Sequence, residues 1–171
     1  CLSKNHPAAV KRFLVRQLQV AGGAGSVEVL AACLADKELA EPARQALVAV
    51  GNAAAKEALL AALPRSTGQL RVGIIQALGR ARYPAAVPLM IKEAESSDEA
   101  ARSAAIVALG DIGDVRSKPV IVSAMHRKPL LERRKAIDAY LRLAEQLPLE
   151  NGEDRKEVLA MYERVLKLSS E

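Results

Sequence analysis

The sequence predicts an all-α fold, an α-solenoid of about five stacked helix pairs, and three observations carry that prediction. Apolar residues fall at helical spacing along the whole chain, with strand-like alternation nowhere. One phrase returns at intervals of 28 to 31 residues, the mark of a short repeating unit. The apolar half of these 171 residues is mostly Ala, Leu and Val, with 2% aromatic residues and no Trp, a composition that lets helices approach closely. A half-apolar chain of this length buries a core without disulfide or metal staples.

Taken in order, the first predicted helix runs from about Pro7 to Val20, and the glycine-rich stretch Gly22 to Gly25 reads as the turn after it. Ser26 then opens a helix to Ala35. The recurring phrase follows from Ala43 to Gly51, with Pro42 suited to a first helical turn. Asn52 starts a helix to Leu63, and the phrase returns from Arg71 to Gly79. Pro84 opens the stretch to Glu95, and Asp98 is placed to cap the helix carrying the third copy, Arg102 to Gly110. In that copy Ala105, Ala108, Leu109 and Ile112 sit at i, i+3, i+4 and i+7, one face of an α-helix. Glycines 51, 79 and 110 close their phrases, and Gly79 and Gly110, after Leu78 and Leu109, read as helix-ending residues with positive φ. Val115 to Met125 contains Pro119 in its early part. A long helix from Pro129 to Gln146 carries a weaker copy beginning at Arg133, and a last helix spans Glu153 to Leu168 with a stripe of Val158, Tyr162 and Leu166. Ten helices result.

The run from Asp98 to Asp114, with its Asp, its Arg and its Ala108-Leu109-Gly110 ending, resembles the second helix of the short HEAT-like repeat of the phycobilisome-lyase type. The copy at Arg71 matches well. The copy at Ala43 shifts its Arg by one place, and the copy at Arg133 has Leu141 where the glycine would fall. The resemblance covers residues 26–146 and implies a right-handed superhelix of HEAT-like pairs. Leu63 to Ile75 and Asp36 to Arg44 are similar to repeat regions of large planctomycete and verrucomicrobial proteins, which implies a single repeat domain over 1–171 cut from a larger, secreted or cell-envelope protein. Cys1 could be a lipoprotein cysteine or simply the cut.

Chemistry finds little purchase in these residues. His6 precedes Pro7 and His126 sits at a helix end, both positions typical of a surface histidine, and no His-Glu dipeptide of the iron-binding HEAT-like hydroxylases occurs. Gly22 to Gly25 lacks a preceding strand and a following Gly-Lys-Ser/Thr, which excludes a phosphate-cradling loop. The carboxylate pairs Glu93 with Glu95, Asp111 with Asp114, and Glu153 with Asp154 read as solvated. Cys33 lies in the stripe Val29, Leu30, Cys33 and Leu34 as a small buried hydrophobe. No catalytic residue, metal ligand or cofactor is expected.

The net charge of +5 is spread as +2, +2 and +1 over residues 1–51, 52–110 and 111–171, so no basic arm stands out. Arg127, Lys128, Arg133, Arg134, Lys135 and Arg142 do cluster, but only Tyr140 lies among them, and single-strand binding needs stacking aromatics. Solenoids present the second helix of each pair on a docking surface. With the Arg102 phrase as a ruler, the outward positions are Arg44 and Val48, then Val72, Gln76 and Arg80, then Ser103, Val107 and Asp111, then Arg134, Asp138 and Arg142. Val beside Arg suits a protein or peptide partner better than a phosphate groove. The expected function is therefore a non-catalytic, monomeric scaffold. A nucleic-acid-binding repeat protein and a lyase-like accessory repeat holding a substrate or chromophore are the alternatives. Arg71, Arg102 and Arg133 form a separate series, each expected to reach an acidic group or helix carbonyl such as Asp98 or Asp111.

Overall fold

The computed structural model describes residues 6–169, so the reading of Cys1 lies outside the described residues. Among the described residues the ordered elements are ten α-helices and four short 3-10 turns, and no strand occurs. The chain divides into two compact units, one ending at Leu78 and the other starting at Gly79.

The first unit holds α1 (Ala8–Ala21), α2 (Val27–Cys33), α3 (Ala40–Val50), α4 (Ala53–Ala62) and most of α5 (Gly68–Arg80). Helix α3 packs against α1, α2 and α4, and α2 also packs against α4. Val15, Leu30, Leu47, Leu63, Ile74, Ile75 and Leu78 fill the interior. Each fully buried aliphatic side chain contributes roughly 1.5–3 kcal/mol. Local chemistry sets the α3–α4 corner. Gly51 takes φ +62°, a left-handed conformation, and the Asn52 side chain accepts a 2.8 Å hydrogen bond from the Ala55 N–H. A residue free to adopt positive φ thus ends one helix, and a capping amide starts the next.

The second unit contains α6 (Val87–Glu93), α7 (Glu99–Ile112), α8 (Lys118–Ala124), α9 (Leu130–Gln146) and α10 (Gly152–Ser169). Helix α7 packs against α6, α8 and α9, while α9 also receives α8 and α10. The expected face of α7 is realised, since Ala105, Ala108, Leu109 and Ile112 are all buried. Asp98 caps α7 as expected, accepting from the Ala100 and Ala101 N–H groups at 3.0 and 3.2 Å. The first-of-pair helices α2, α6 and α8 are shorter than their sequence patterns because each opens with a 3-10 turn. Ser26 and Ser117 close two of those turns by donating to the carbonyls of Gly23 and Asp114.

Three expectations are corrected. Gly79 and Gly110 do not end their helices: α5 continues to Arg80, and α7 continues to Ile112, where Gly113 at φ +76° stops it. Both glycines are interior contact points. A Cβ on Gly79 would lie 2.6 Å from the Ala108 Cβ, and one on Gly110 would lie 2.6 Å from the Ala139 Cα. Glycine is there because the next helix occupies the space a side chain would need. Glu93 is not on a solvated face but buried in α6. In α10 the buried stripe is Val158 and Met161, whereas Tyr162 and Leu166 are exposed.

Candidate partner-binding face

The second helix of each pair offers the surface on which the outward residues were expected. None of the eleven is buried. In the first unit, Arg44 is committed to its own structure. Its guanidinium pairs with Glu41, an interaction that holds the Glu41 carboxyl below its ordinary range, and it donates to the Gly73 carbonyl at 3.5 Å. A Cβ on Gly73 would come within 2.7 Å of the Arg44 Nε, so Gly73 makes room for that side chain. Val48 and Gln76 are exposed on the same helices, and Val72 is half-buried.

In the second unit the corresponding face is built from α7 and α9, and rungs join the two helices along it. The Lys135 ammonium donates to the Ser103 hydroxyl at 2.7 Å, and Arg142 pairs with Asp111 at 2.6 Å. Gln146 donates to the Gly110 carbonyl at 2.8 Å and to the Arg142 carbonyl at 2.9 Å. Val107 is half-buried on the same face of α7. Arg80, Arg134 and Asp138 are exposed and enter no ion pair among the described residues. Sequence reasoning found Ser103, Asp111 and Arg142 but missed their companions Lys135 and Gln146. For Lys135 the spacing held a signal, since it follows Ser103 by 32 residues, about one repeat.

Two members of the arginine series, Arg102 and Arg133, reach an acidic group and a helix carbonyl of a neighbouring helix as expected, though neither group is Asp98 or Asp111. Arg102 donates twice to the buried Glu132 carboxylate, at 3.2 and 2.5 Å, and once to the Ser96 carbonyl at 2.9 Å. The Glu132 hydrogen bonds are the first cause of the raised Arg102 pKa. Arg133 donates to the Leu168 carbonyl at 2.8 Å. In the basic cluster, Arg127 likewise donates to the Ala94 carbonyl at 2.8 Å. Tyr140, the aromatic within that cluster, is fully buried. It cannot stack on a base.

Burial raises the Cys33 thiol pKa, with the Asp36 charge adding to the effect, so Cys33 is a packing group with a disfavoured thiolate. His6 and His126 are exposed. Among the described residues no three His, Cys, Asp or Glu side chains gather as a metal site. Among the described residues no helix is long and apolar enough to cross a membrane. The glycine-rich turn between α1 and α2 is a short 3-10 segment, Ala24–Ser26.

A sequence model of HEAT repeats matches residues 56–141, the stretch from α4 to α9. No curated protein matches the chain.

Proposed function

The chain belongs to the HEAT repeat family, whose helix pairs commonly mediate protein–protein interaction, and from that premise we propose that it is a non-catalytic scaffold module docking a protein or peptide on the α7–α9 face. The observation that carries the proposal is the division of labour on that face. Its rungs immobilise Ser103, Lys135, Asp111 and Arg142, while Arg134 and Asp138 stay exposed and unengaged beside the half-buried Val107. A stiff surface loses little entropy on binding, and its unengaged charges of both signs select a partner by complementarity. Burial of Tyr140 and the engagement of Arg127, Arg133, Lys135 and Arg142 within the chain favour a protein partner over a nucleic acid. The short spacing of the repeat supports a place among the lyase-type HEAT repeats.

The test places a photo-crosslinking side chain at Arg134 and, as a control, at the exposed Arg116. A discrete adduct formed from the Arg134 position alone, and lost when Asp138→Lys is added, is the expected result. Adducts of equal yield from both positions, or none from Arg134, would overturn the assignment.

A further inference from the structure

The first unit contains an open groove of about 600 Å³ between the α2–α3 turn and the α4–α5 turn. Leu34 and Ala40 form its buried floor, and Ala58, Ala62 and Leu70 line its sides. Its volume lies within the roughly 300–1,000 Å³ typical of ligand sites. The alanines create the space, because no large side chain reaches across.

Two cations, Lys37 and Arg65, stand exposed at its mouth, and neither enters an ion pair among the described residues. Of the acidic groups in the adjoining turn, Glu38 and Glu41 are paired with arginines. Asp36 accepts from the Glu38 N–H, Glu38 pairs with Arg12, and Glu41 pairs with Arg44. Ser66 and Thr67, at the start of α5, also line the groove, and a helix N-terminus adds positive potential. Among the described residues no acidic side chain lines the groove, so its mouth presents the charges of Lys37 and Arg65 above an apolar floor.

A second observation makes Arg65 more than a surface cation. Arg65 lies three residues before α5, as Arg127 lies three residues before α9. In the second unit Arg127 lays its guanidinium on the Ala94 carbonyl at the end of α6, closing that edge of the pair. The counterpart of α6 in the first unit is α2, whose C-cap residue is Leu34. Arg65 makes no such closure, and the groove occupies the place where it would run. One residue type at one repeat position is thus satisfied by the chain itself in one unit and exposed over an open trough in the other.

We propose that this groove binds a short acidic peptide segment, with an aliphatic side chain on the Leu34–Ala40 floor and a neighbouring carboxylate held by Arg65 and Lys37. The site shares no residue with the α7–α9 face. It stands or falls independently of the docking proposed there.

The test uses the full chain and a fluorescein-tagged peptide alternating Leu with Glu, followed by anisotropy. Counterpart peptides replace Glu with Gln, or Leu with Ser. The Leu/Glu peptide should bind, with affinity falling as salt is raised. Each counterpart should bind about tenfold more weakly or worse, as expected for losing one charge-assisted or apolar contact. Arg65→Glu and Lys37→Glu should each weaken binding to a similar degree. Ala61→Trp, at an exposed position on the groove wall, should block it while leaving the melting temperature unchanged. Arg134→Glu, on α9, should have no effect. Failure of the unaltered chain to bind, or equal binding of the Gln counterpart, overturns the proposal. So does a chain dimer that Ala61→Trp dissolves, since a second copy would then be the occupant.

Discussion

Replacing Gly110 with Ala sets two effects of known size against each other. A glycine in a helix interior is about 0.8–1 kcal/mol less favourable than alanine, so propensity alone predicts a stabilised protein. Packing predicts the reverse. The new Cβ would lie 2.6 Å from the Ala139 Cα, 2.7 Å from its Cβ and 2.8 Å from its carbonyl oxygen. Two of those three atoms are main chain, so no rotamer change relieves the overlap and α7 must move away from α9. Overpacking of this kind costs about 1–3 kcal/mol, and contact with backbone places it near the upper end. The net is a loss of about 2 kcal/mol, and at about 2–4 °C per kcal/mol for a chain of this size the melting temperature should fall by about 4–8 °C.

Urea and thermal denaturation measure this directly, with an unchanged urea slope showing that only stability has altered. Adding Ala139→Gly should give no rescue, because it removes one of the three contacts and brings its own helix penalty. Gly25→Ala is the control, since a Cβ there meets nothing within 4 Å and the change should stay within about 0.5 kcal/mol. A Gly110→Ala protein that melts above the parent would refute the reasoning, because propensity would then outweigh the close approach of α7 and α9.

Arg102→Ala strips the buried Glu132 carboxylate of both its guanidinium hydrogen bonds and the Ser96 carbonyl of one. With Arg102 about one-fifth exposed, the expected loss is about 2 kcal/mol by urea denaturation, below the full penalty of a wholly buried broken pair, and the double variant Arg102→Met with Glu132→Leu should recover most of it. An undiminished stability of Arg102→Ala would show that the pair is idle. Acid sensitivity follows from Glu41 and Asp114, whose carboxyls are held below their ordinary ranges chiefly by hydrogen bonds from Arg44 and Arg116. Their folded forms bind protons less readily than the unfolded chain, so their contribution is full above the ordinary carboxylate pKa of about 4 and is lost as pH falls through the lower folded values. Glu41→Gln with Asp114→Asn should flatten the acid limb of a stability–pH profile; a limb of unchanged steepness would show that these pairs do not supply it.

Fold class and helix order were legible because they depend on local patterns: the stripe through Ala105, Ala108, Leu109 and Ile112, the caps at Asn52 and Asp98, and the repeat spacing. The role of Gly110 was misread, although the stripe ending at Ile112 already required the helix to pass through it. A glycine has two uses, positive φ and close approach, and sequence alone does not choose between them until a better stop, here Gly113, is weighed against it. The outward positions on α7 and α9 are unburied, but which of them are engaged was invisible in the sequence. That depends on whether a long side chain on one helix reaches a particular atom on the next. Arg65 and Arg127 show the limit most clearly, since one residue type at one repeat position leaves a groove open in one unit and seals an edge in the other.

The close approach at the glycines also accounts for the chemistry left on the α7–α9 face. Gly110 meets Ala139, and the polar residues just beyond them, Asp111 on one helix and Arg142 on the other, pair at 2.6 Å; Gln146 reaches back to the Gly110 carbonyl itself. A larger residue at Gly110 or Ala139 would spread the helices and pull these rungs apart. Small residues at the seam and charged residues beside it are one device, in which close backbones bring the side chains on their flanks within bonding range. Aromatic side chains would defeat it at the seam, which gives the aromatic-poor composition a mechanical reason. Under the proposed docking, the groups left for a partner are those the rungs do not use, Arg134 and Asp138, on a surface whose helix spacing is set by the glycine-sized gap at Gly110.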